Sequence, residues 1–324
     1  MDLARINYHE THAVSTSSNG SKPPSVALSQ SLVSVILADV RAPDKRRLTT
    51  FGQELYLRES IHAIEVFGGL AGHKDLRNKI ADALSHGSKS TRLRLASKII
   101  QRFFRNPNDK SPAHAFLRLV SGAKSEQLRR DLLYWRTART DLVISAVAAE
   151  IFYPFFVLGI LPAGNDESTF RMENTAALFT TDMVITRDLV VNFARRQWDF
   201  HSQRSLTLAL RIMRQAEILD TISVTIGRRR ILGYYLRPHF PAVEAFVYSI
   251  YEESMPQRRN ILLLDQVQNG NFAKTFLLSR LQADSLLKTA EKNGYVKSIS
   301  KPGPRRIELA IRNLDALVDK ILEE

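Results

Sequence analysis

The sequence predicts a mainly α-helical protein: a helical N-terminal domain followed by two winged helix-turn-helix-like units with short β-hairpins. Three observations lead there. From about residue 32 to Thr180, apolar residues recur at three- and four-residue steps, the period of an amphipathic helix. Two alternating stretches, each broken by a glycine-containing turn, follow helices in the middle and at the end of the chain. The charge is also one-sided, with 46 Lys+Arg against 33 Asp+Glu, a formal net charge of +13.

The 324 residues can bury a substantial core, and an apolar content of 44% excludes a wholly disordered chain. Composition shifts divide the chain into a disordered tail (1–31), a helical domain (32–180), a winged-helix-like domain (181–255) and a C-terminal winged helix (256–324). The basic excess favours a polyanionic partner, either nucleic acid or an anionic membrane surface. With no cysteine there is no disulfide, thiolate catalysis or Cys-based zinc site, and a cytoplasmic location is expected. The opening MDLARINYHE lacks the apolar core of a secretory signal.

The helical domain follows element by element. His12 to Ser31 is rich in Ser, Gly and Pro, and its apolar content is too low to fold. In "STRLRLASKIIQRFFR", Leu93, Ala96, Ile99, Ile100 and Phe103 make an apolar stripe. Arg94, Lys98, Arg102 and Arg105 step by four, four and three on the opposite face. Like charges at that spacing repel unless an anion lies alongside. "AHAFLRLVSG" and "SEQLRRDLLYWRTARTDLVISAVAAEIF" continue as helices, with Leu132 and Trp135 in the core. The run from Leu142 to Ala163 has nearly the length of a membrane span, but Glu150 and Pro154 interrupt it. A buried helix ending near Pro154 fits better, with Glu150 paired to an arginine. "LPAGNDEST" reads as a loop.

After Thr180, "TRDLVVNFARRQW" is a helix capped by Thr186, and "SQRSLTLALRIMRQAEIL" is another, capped by Ser202 or Ser205. "LDTISVTIGRRRILGYYL" then reads as a hairpin. The order repeats: "RRNILLLDQVQNG", "NFAKTFLLSRL" and "QADSLLKTAEKNG" read as helices, with Gly294 as the stop. "YVKSIS", "KPGP" and "RRIELAI" form the second hairpin, and "RNLDALVDKILEE" is a last helix. The two hairpins align without a gap at an offset of 77 residues, which places Arg228 on Arg305 and Arg229 on Arg306.

A helix followed by a basic two-stranded hairpin is the layout of a winged helix, whose second helix enters the DNA major groove while the wing reaches the neighbouring backbone. The Pro-Gly-Pro turn restricts the second wing and lowers the entropy lost on binding. Lys301, Arg305 and Arg306 at its tip, and Lys297 on its first strand, can then approach phosphates together. Arg228, Arg229 and Arg230 take that role in the first wing, with Arg204, Arg211 and Arg214 on the helix before it. Gln282, Ser285, Lys288 and Thr289 are the groove-facing candidates of the second unit. The expected partner is double-stranded DNA.

Signals for catalysis are thin. "HETH" (His9 to His12) lacks the HExxH spacing and a third ligand, and "FGGLAGH" has no βαβ unit around it. "GNFAKT" lacks the second glycine of a phosphate loop. No enzymatic activity, metal or cofactor is expected.

The region from about Leu70 to Glu253 resembles BrxA, a component of bacterial BREX phage-exclusion systems. The resemblance is carried by "STRLRLASKIIQRF", by "FLRLVSGAKSEQLRRDLLYWRTARTDLVISAVAAEIF" and by "LTLALRIMRQAEIL" leading into a hairpin. It implies a helical protein with winged-helix-like parts that binds duplex DNA within a multi-gene defence locus, with Thr91, Arg94 and Arg102 in the family's basic helix. BrxA proteins are shorter, so the tail to about Val40 and the winged helix from about Gln257 are additions. Two alternatives stand beside this reading: a transcription regulator, and a scaffold whose wings dock onto acidic proteins.

Overall fold

The computed structural model describes residues 56–85, 87–158, 184–226, 229–237, 239–299 and 303–323, with the side chains of 224–226 and 229–230 outside the description. The N-terminal tail, the HETH stretch and the "LPAGNDEST" loop lie outside the described residues. What is described belongs to one compact unit, Lys45–Glu324. It is mainly α-helical with two small antiparallel sheets.

The first part is a helical layer: α1 (Leu57–Phe67), α2 (Leu76–Ala83), α3 (Lys89–Ile99), α4 (His114–Gly122), α5 (Glu126–Thr140), α6 (Leu142–Ala146) and α7 (Tyr153–Leu158). Short polar side chains fix where these helices begin. Ser88 accepts from Thr91 N, Ser125 from Leu128 N and Asp141 from Val143 N, each satisfying an otherwise orphaned amide. Helix α5 is the core element, with Leu132, Leu133, Tyr134 and Trp135 fully buried. Each large apolar side chain so buried stabilises the fold by about 1.5–3 kcal/mol.

Two π-helical segments overturn expectations drawn from a strict 3.6-residue period. Ile100–Phe104 continues α3 as a π-helix, and its wider turn shifts the phase of everything after it. Arg102 therefore turns inward and is 2% exposed, buried with Phe103 and Phe104 rather than stacked beyond Lys98 on a solvent face. Burial lowers its pKa to about 10, opposed by the charge of Asp141. Val147–Phe152 is the second π segment, and it leads into α7. The helical path thus runs past Pro154, which was expected to end it: Tyr153 N still bonds Ala148 O, and the proline follows as the second residue of α7. Glu150 is exposed rather than buried, and it accepts from Trp198 Nε1 at 2.7 Å. Among the described residues no single helix is long and apolar enough to cross a membrane, and one pair, α5 with the α6–α7 run, bent by 99°, has the length and composition together.

Two units with the same sheet order follow, with two helices before the hairpin in the first and three in the second. In the first, β1 (Ile185–Thr186), α8 (Arg187–Trp198), α9 (Gln203–Gln215), β2 (Leu219–Ile226) and β3 (Arg229–Leu236) give a sheet ordered β1-β3-β2. Helix α10 (Val243–Ser254) comes next. In the second unit, β4 (Ile261–Leu263), α11 (Leu264–Gln268), α12 (Asn271–Thr275), α13 (Arg280–Lys292), β5 (Val296–Ile299) and β6 (Arg306–Leu309) give the matching order β4-β6-β5, and α14 (Leu314–Glu323) ends the described chain.

Ile261–Leu263 was expected to be helical. It forms a strand because it pairs with β6, Ile261 opposite Glu308 and Leu263 opposite Arg306, and Leu264 N bonds Arg305 O instead of starting a helix earlier.

Helices α9 and α13 are of equal length and lie 77 residues apart. Ser202 caps the first, and Ser279 caps the second in a reciprocal box with Gln282. The gapless sequence match does not survive beyond the helices and first strands. In the first hairpin Ile222 pairs with Gly233 and the ladder runs on to Ile226 opposite Arg229. In the second, Ile299 (the counterpart of Ile222) already pairs with Arg306. The first arm is therefore a ladder of eight residue pairs and the second a ladder of four. Arg229 and Arg306 align in sequence but not in register.

Helix α10 joins the second unit to the helical layer. Its Glu252 accepts from Trp135 Nε1 at 2.9 Å and pairs with Arg136 at 2.7 Å, while the Arg136 guanidinium lies 4.2 Å from the centre of the Phe116 ring. Tyr251 donates to Tyr295 O at 2.6 Å and accepts from Ile311 N at 3.0 Å, tying both ends of the β5–β6 arm to this helix.

Candidate nucleic-acid interface

The exposed side of α9 follows from its amphipathic pattern. Leu206, Ala209, Leu210, Ile212 and Met213 turn into the core, and Arg204, Arg211 and Arg214 are left exposed on the other side. The helix contains no acidic residue. Arg204 and Arg214 make no ion pair among the described residues. Three elements converge at Tyr234 of β3: burial raises its phenol pKa, while the charges of Arg214 and Arg211 from α9 and Arg187 from α8 pull it down. Helix, sheet and the start of α8 thus share one cationic neighbourhood. The hairpin beyond it exists as expected, with Arg229 and Arg230 at its far end opposite Ile226 and Thr225. Arg228 and the side chains of Arg229 and Arg230 lie outside the described residues.

The second unit is arranged differently. Ser285, Lys288 and Thr289 are exposed on α13, as expected of a groove-facing helix, although Thr289 Oγ1 donates back to Ser285 O at 3.0 Å. Gln282 is not available to read bases: its Oε1 accepts from Ser279 N at 2.8 Å, closing the cap of its own helix. Arg280 is held by Gln268 at 3.1 Å and faces Asp265 at 3.9 Å, and Gln268 in turn donates to Asp284. Lys297, Arg305 and Arg306 are exposed, but Glu308 sits directly opposite Lys297 in the ladder. Lys301 lies outside the described residues. Leu281, at the position of α13 equivalent to Arg204, is 80% exposed.

The four cations expected on one face of α3 do not stay together. Arg94 is exposed, Lys98 is half-buried with its Nζ 3.5 Å from Gln101 Oε1, Arg102 is in the core, and Arg105 is exposed beyond the π turn. There Arg105 joins Lys74, Arg77 and Lys110 around a cavity that sequence reading did not anticipate. "GHKDLR" has no helical charge period, so only the folding of the 105–112 loop against α2 could reveal the cluster. Arg187 was also missed, because it opens α8 and belongs to no basic run. No cluster of His, Cys, Asp or Glu that could hold a metal ion occurs among the described residues.

No family model matches this chain, and no curated protein matches it. Two solved structures are similar in arrangement. One is described as magnesium ion-bound SspB, with 12% identity and a TM-score of 0.47; the other is SspB, with 12% identity and a TM-score of 0.45. Each alignment covers 88% of this chain and 86% of the other.

Proposed function

We propose that this protein is a non-enzymatic, cytoplasmic duplex-DNA-binding accessory protein built on two winged-helix units, and that it serves a bacterial BREX-like phage-defence system. The observation that carries the DNA reading is α9: Arg204, Arg211 and Arg214 exposed on a helix without a carboxylate, placed directly before a hairpin. In a winged helix that element lies in the major groove and the hairpin follows the adjacent backbone. Phosphate contacts made by arginines bind every sequence, so affinity is broad and base readout limited. The setting in phage defence rests on the likeness of the helices around Ser90–Phe103 and Leu206–Leu219 to BrxA.

A second reading has its own support. Leu281 is 80% exposed on α13, and Asp284 and Glu291 share that helix, a surface better suited to a protein than to a phosphate backbone. In this reading the second unit docks a partner while the first holds DNA.

The test is binding of the full chain to random-sequence duplex DNA over a salt series. Sequence-independent binding that falls steeply with salt supports the proposal. Absence of binding at low salt sinks it, and tight binding to a single operator sequence supports a transcription regulator instead.

A further inference from the structure

The cavity beside Arg105 lies between α2, the end of α3 and the loop 105–112, and its volume is about 580 Å³. That is within the roughly 300–1,000 Å³ of small-molecule sites. Lys74, Arg77, Arg105 and Lys110 surround it, and all four are exposed. Not one of them makes an ion pair among the described residues, and no carboxylate lines the cavity.

The acidic residues adjacent in sequence are engaged elsewhere. Asp75 Oδ1 accepts from Asn78 at 2.9 Å. Asp109 accepts from Ser111 N at 2.9 Å and Ser111 Oγ at 2.7 Å, which also hold its carboxyl below its ordinary pKa.

The loop that supplies half the wall is braced rather than loose. Arg105 and Pro112 form a β-bridge, Asn106 bonds Ser111 through both backbone and side chain, and Ala113 N bonds Phe104 O. Gly72, with φ +89°, lets α2 approach so closely that a Cβ there would lie 3.3 Å from Pro112 Cγ. His73 Nδ1 accepts from Asp75 N at 3.2 Å, which leaves Nε2 as a donor. The remaining lining mixes Ser97 and Gln101 with Leu76, Ile100, Phe104 and Pro112, of which Ile100 and Pro112 present apolar surface to the cavity while Leu76 and Phe104 are buried behind them. Cations alone would suit a bare anion. Cations around an apolar wall in a cavity of this size suit an anion that carries a flat, weakly polar body.

We propose that this cavity binds a nucleoside phosphate, either a free nucleotide or the 5′-terminal nucleotide of a DNA strand. The phosphate lies among Lys74, Arg77, Arg105 and Lys110, and the base packs against Ile100 and Pro112. The site is too small for a duplex and does not depend on the duplex reading of α9.

The test uses the full chain and fluorescence anisotropy with two probes: an N-methylanthraniloyl-labelled ATP, and a 3′-labelled thymidine tetramer carrying either a 5′-phosphate or a 5′-hydroxyl. The expected result is binding of the nucleotide, or of the 5′-phosphorylated strand in preference to the 5′-hydroxyl one. Lys74→Ala with Lys110→Ala lowers that affinity roughly tenfold or more per cation removed. Arg204→Ala, Arg211→Ala and Arg214→Ala together leave it unchanged, which separates this site from the duplex surface. A melting curve verifies the double variant, and Arg105→Gln alone gives the same reading should the double variant unfold. The proposal is overturned when neither probe binds, when both strands bind alike without nucleotide binding, or when the cavity variants bind as the wild type does.

Discussion

The two units share sheet order and the length of the helix before the hairpin, yet they present different chemistry on that helix. Helix α9 offers three exposed arginines and no acid. Helix α13 carries an exposed leucine where α9 has Arg204, and Asp284 and Glu291 beside its lysines. The arms differ as well, with eight residue pairs in the first ladder and four in the second. The lesson is that topology and surface chemistry vary independently: the fold supplies a platform twice, and side chains decide what each platform holds. On the proposed function, the DNA grip falls mainly to the first unit.

The largest effect is expected where the second unit is fixed to the helical layer. Glu252→Gln leaves the fully buried Arg136 without its carboxylate, and losing one partner of a buried pair costs about 3–5 kcal/mol. The denaturant midpoint should fall accordingly, with DNA affinity of the remaining folded protein unchanged. A variant as stable as the wild type would mean that α10 is held by something else.

Next in size is the α9 surface. Arg204→Ala, Arg211→Ala and Arg214→Ala together should weaken binding to random duplex roughly a hundredfold at low salt, as expected for losing several charged contacts. Equal binding would remove α9 from the interface.

Smaller again is Tyr251→Phe, which deletes the hydroxyl shared by Tyr295 O and Ile311 N and should cost about 1–2 kcal/mol. Amide exchange should quicken in β5 and β6 and stay unchanged in β2 and β3. The same hydroxyl gives a pH signature. Burial raises its pKa to about 12, whereas the unfolded phenol ionises near pH 10. Below pH 10 both states are neutral and nothing changes. Between about 10 and 12 only the unfolded state ionises, so stability falls, and Tyr251→Phe should lessen that fall.

The smallest effect is expected at the second arm. Arg305→Ala with Arg306→Ala should change duplex affinity by roughly threefold or less, the scale of solvated charges. A loss matching that of α9 would erase the distinction between the units.

Much of this was legible in the sequence, and the misses share a physical origin. Both hairpins, the caps at Thr186 and Ser202 and the burial of Leu132 and Trp135 follow from local period and local hydrogen bonding, which the sequence displays directly. Arg102 and the helix past Pro154 were misread because π segments break the 3.6-residue phase on which a helical projection depends. Ile261–Leu263 was misread because a three-residue strand owes its state to its partner β6, not to its own pattern. Gln282 was taken for a base reader because a capping glutamine and a groove-facing one look alike in sequence. The cavity beside Arg105 could not be seen at all, since α2 and the 105–112 loop meet only in the fold.

The assignment of the grip to the first unit is tested most directly by the salt dependence of duplex binding, measured for the wild type, for Arg204→Ala/Arg211→Ala/Arg214→Ala and for Lys288→Ala/Arg305→Ala/Arg306→Ala. Each phosphate contact contributes about −0.9 to the slope of log K against log salt, so the α9 variant should flatten it by about 2.7 and the second by less than about 1. Equal flattening by both variants, or by neither, contradicts the account.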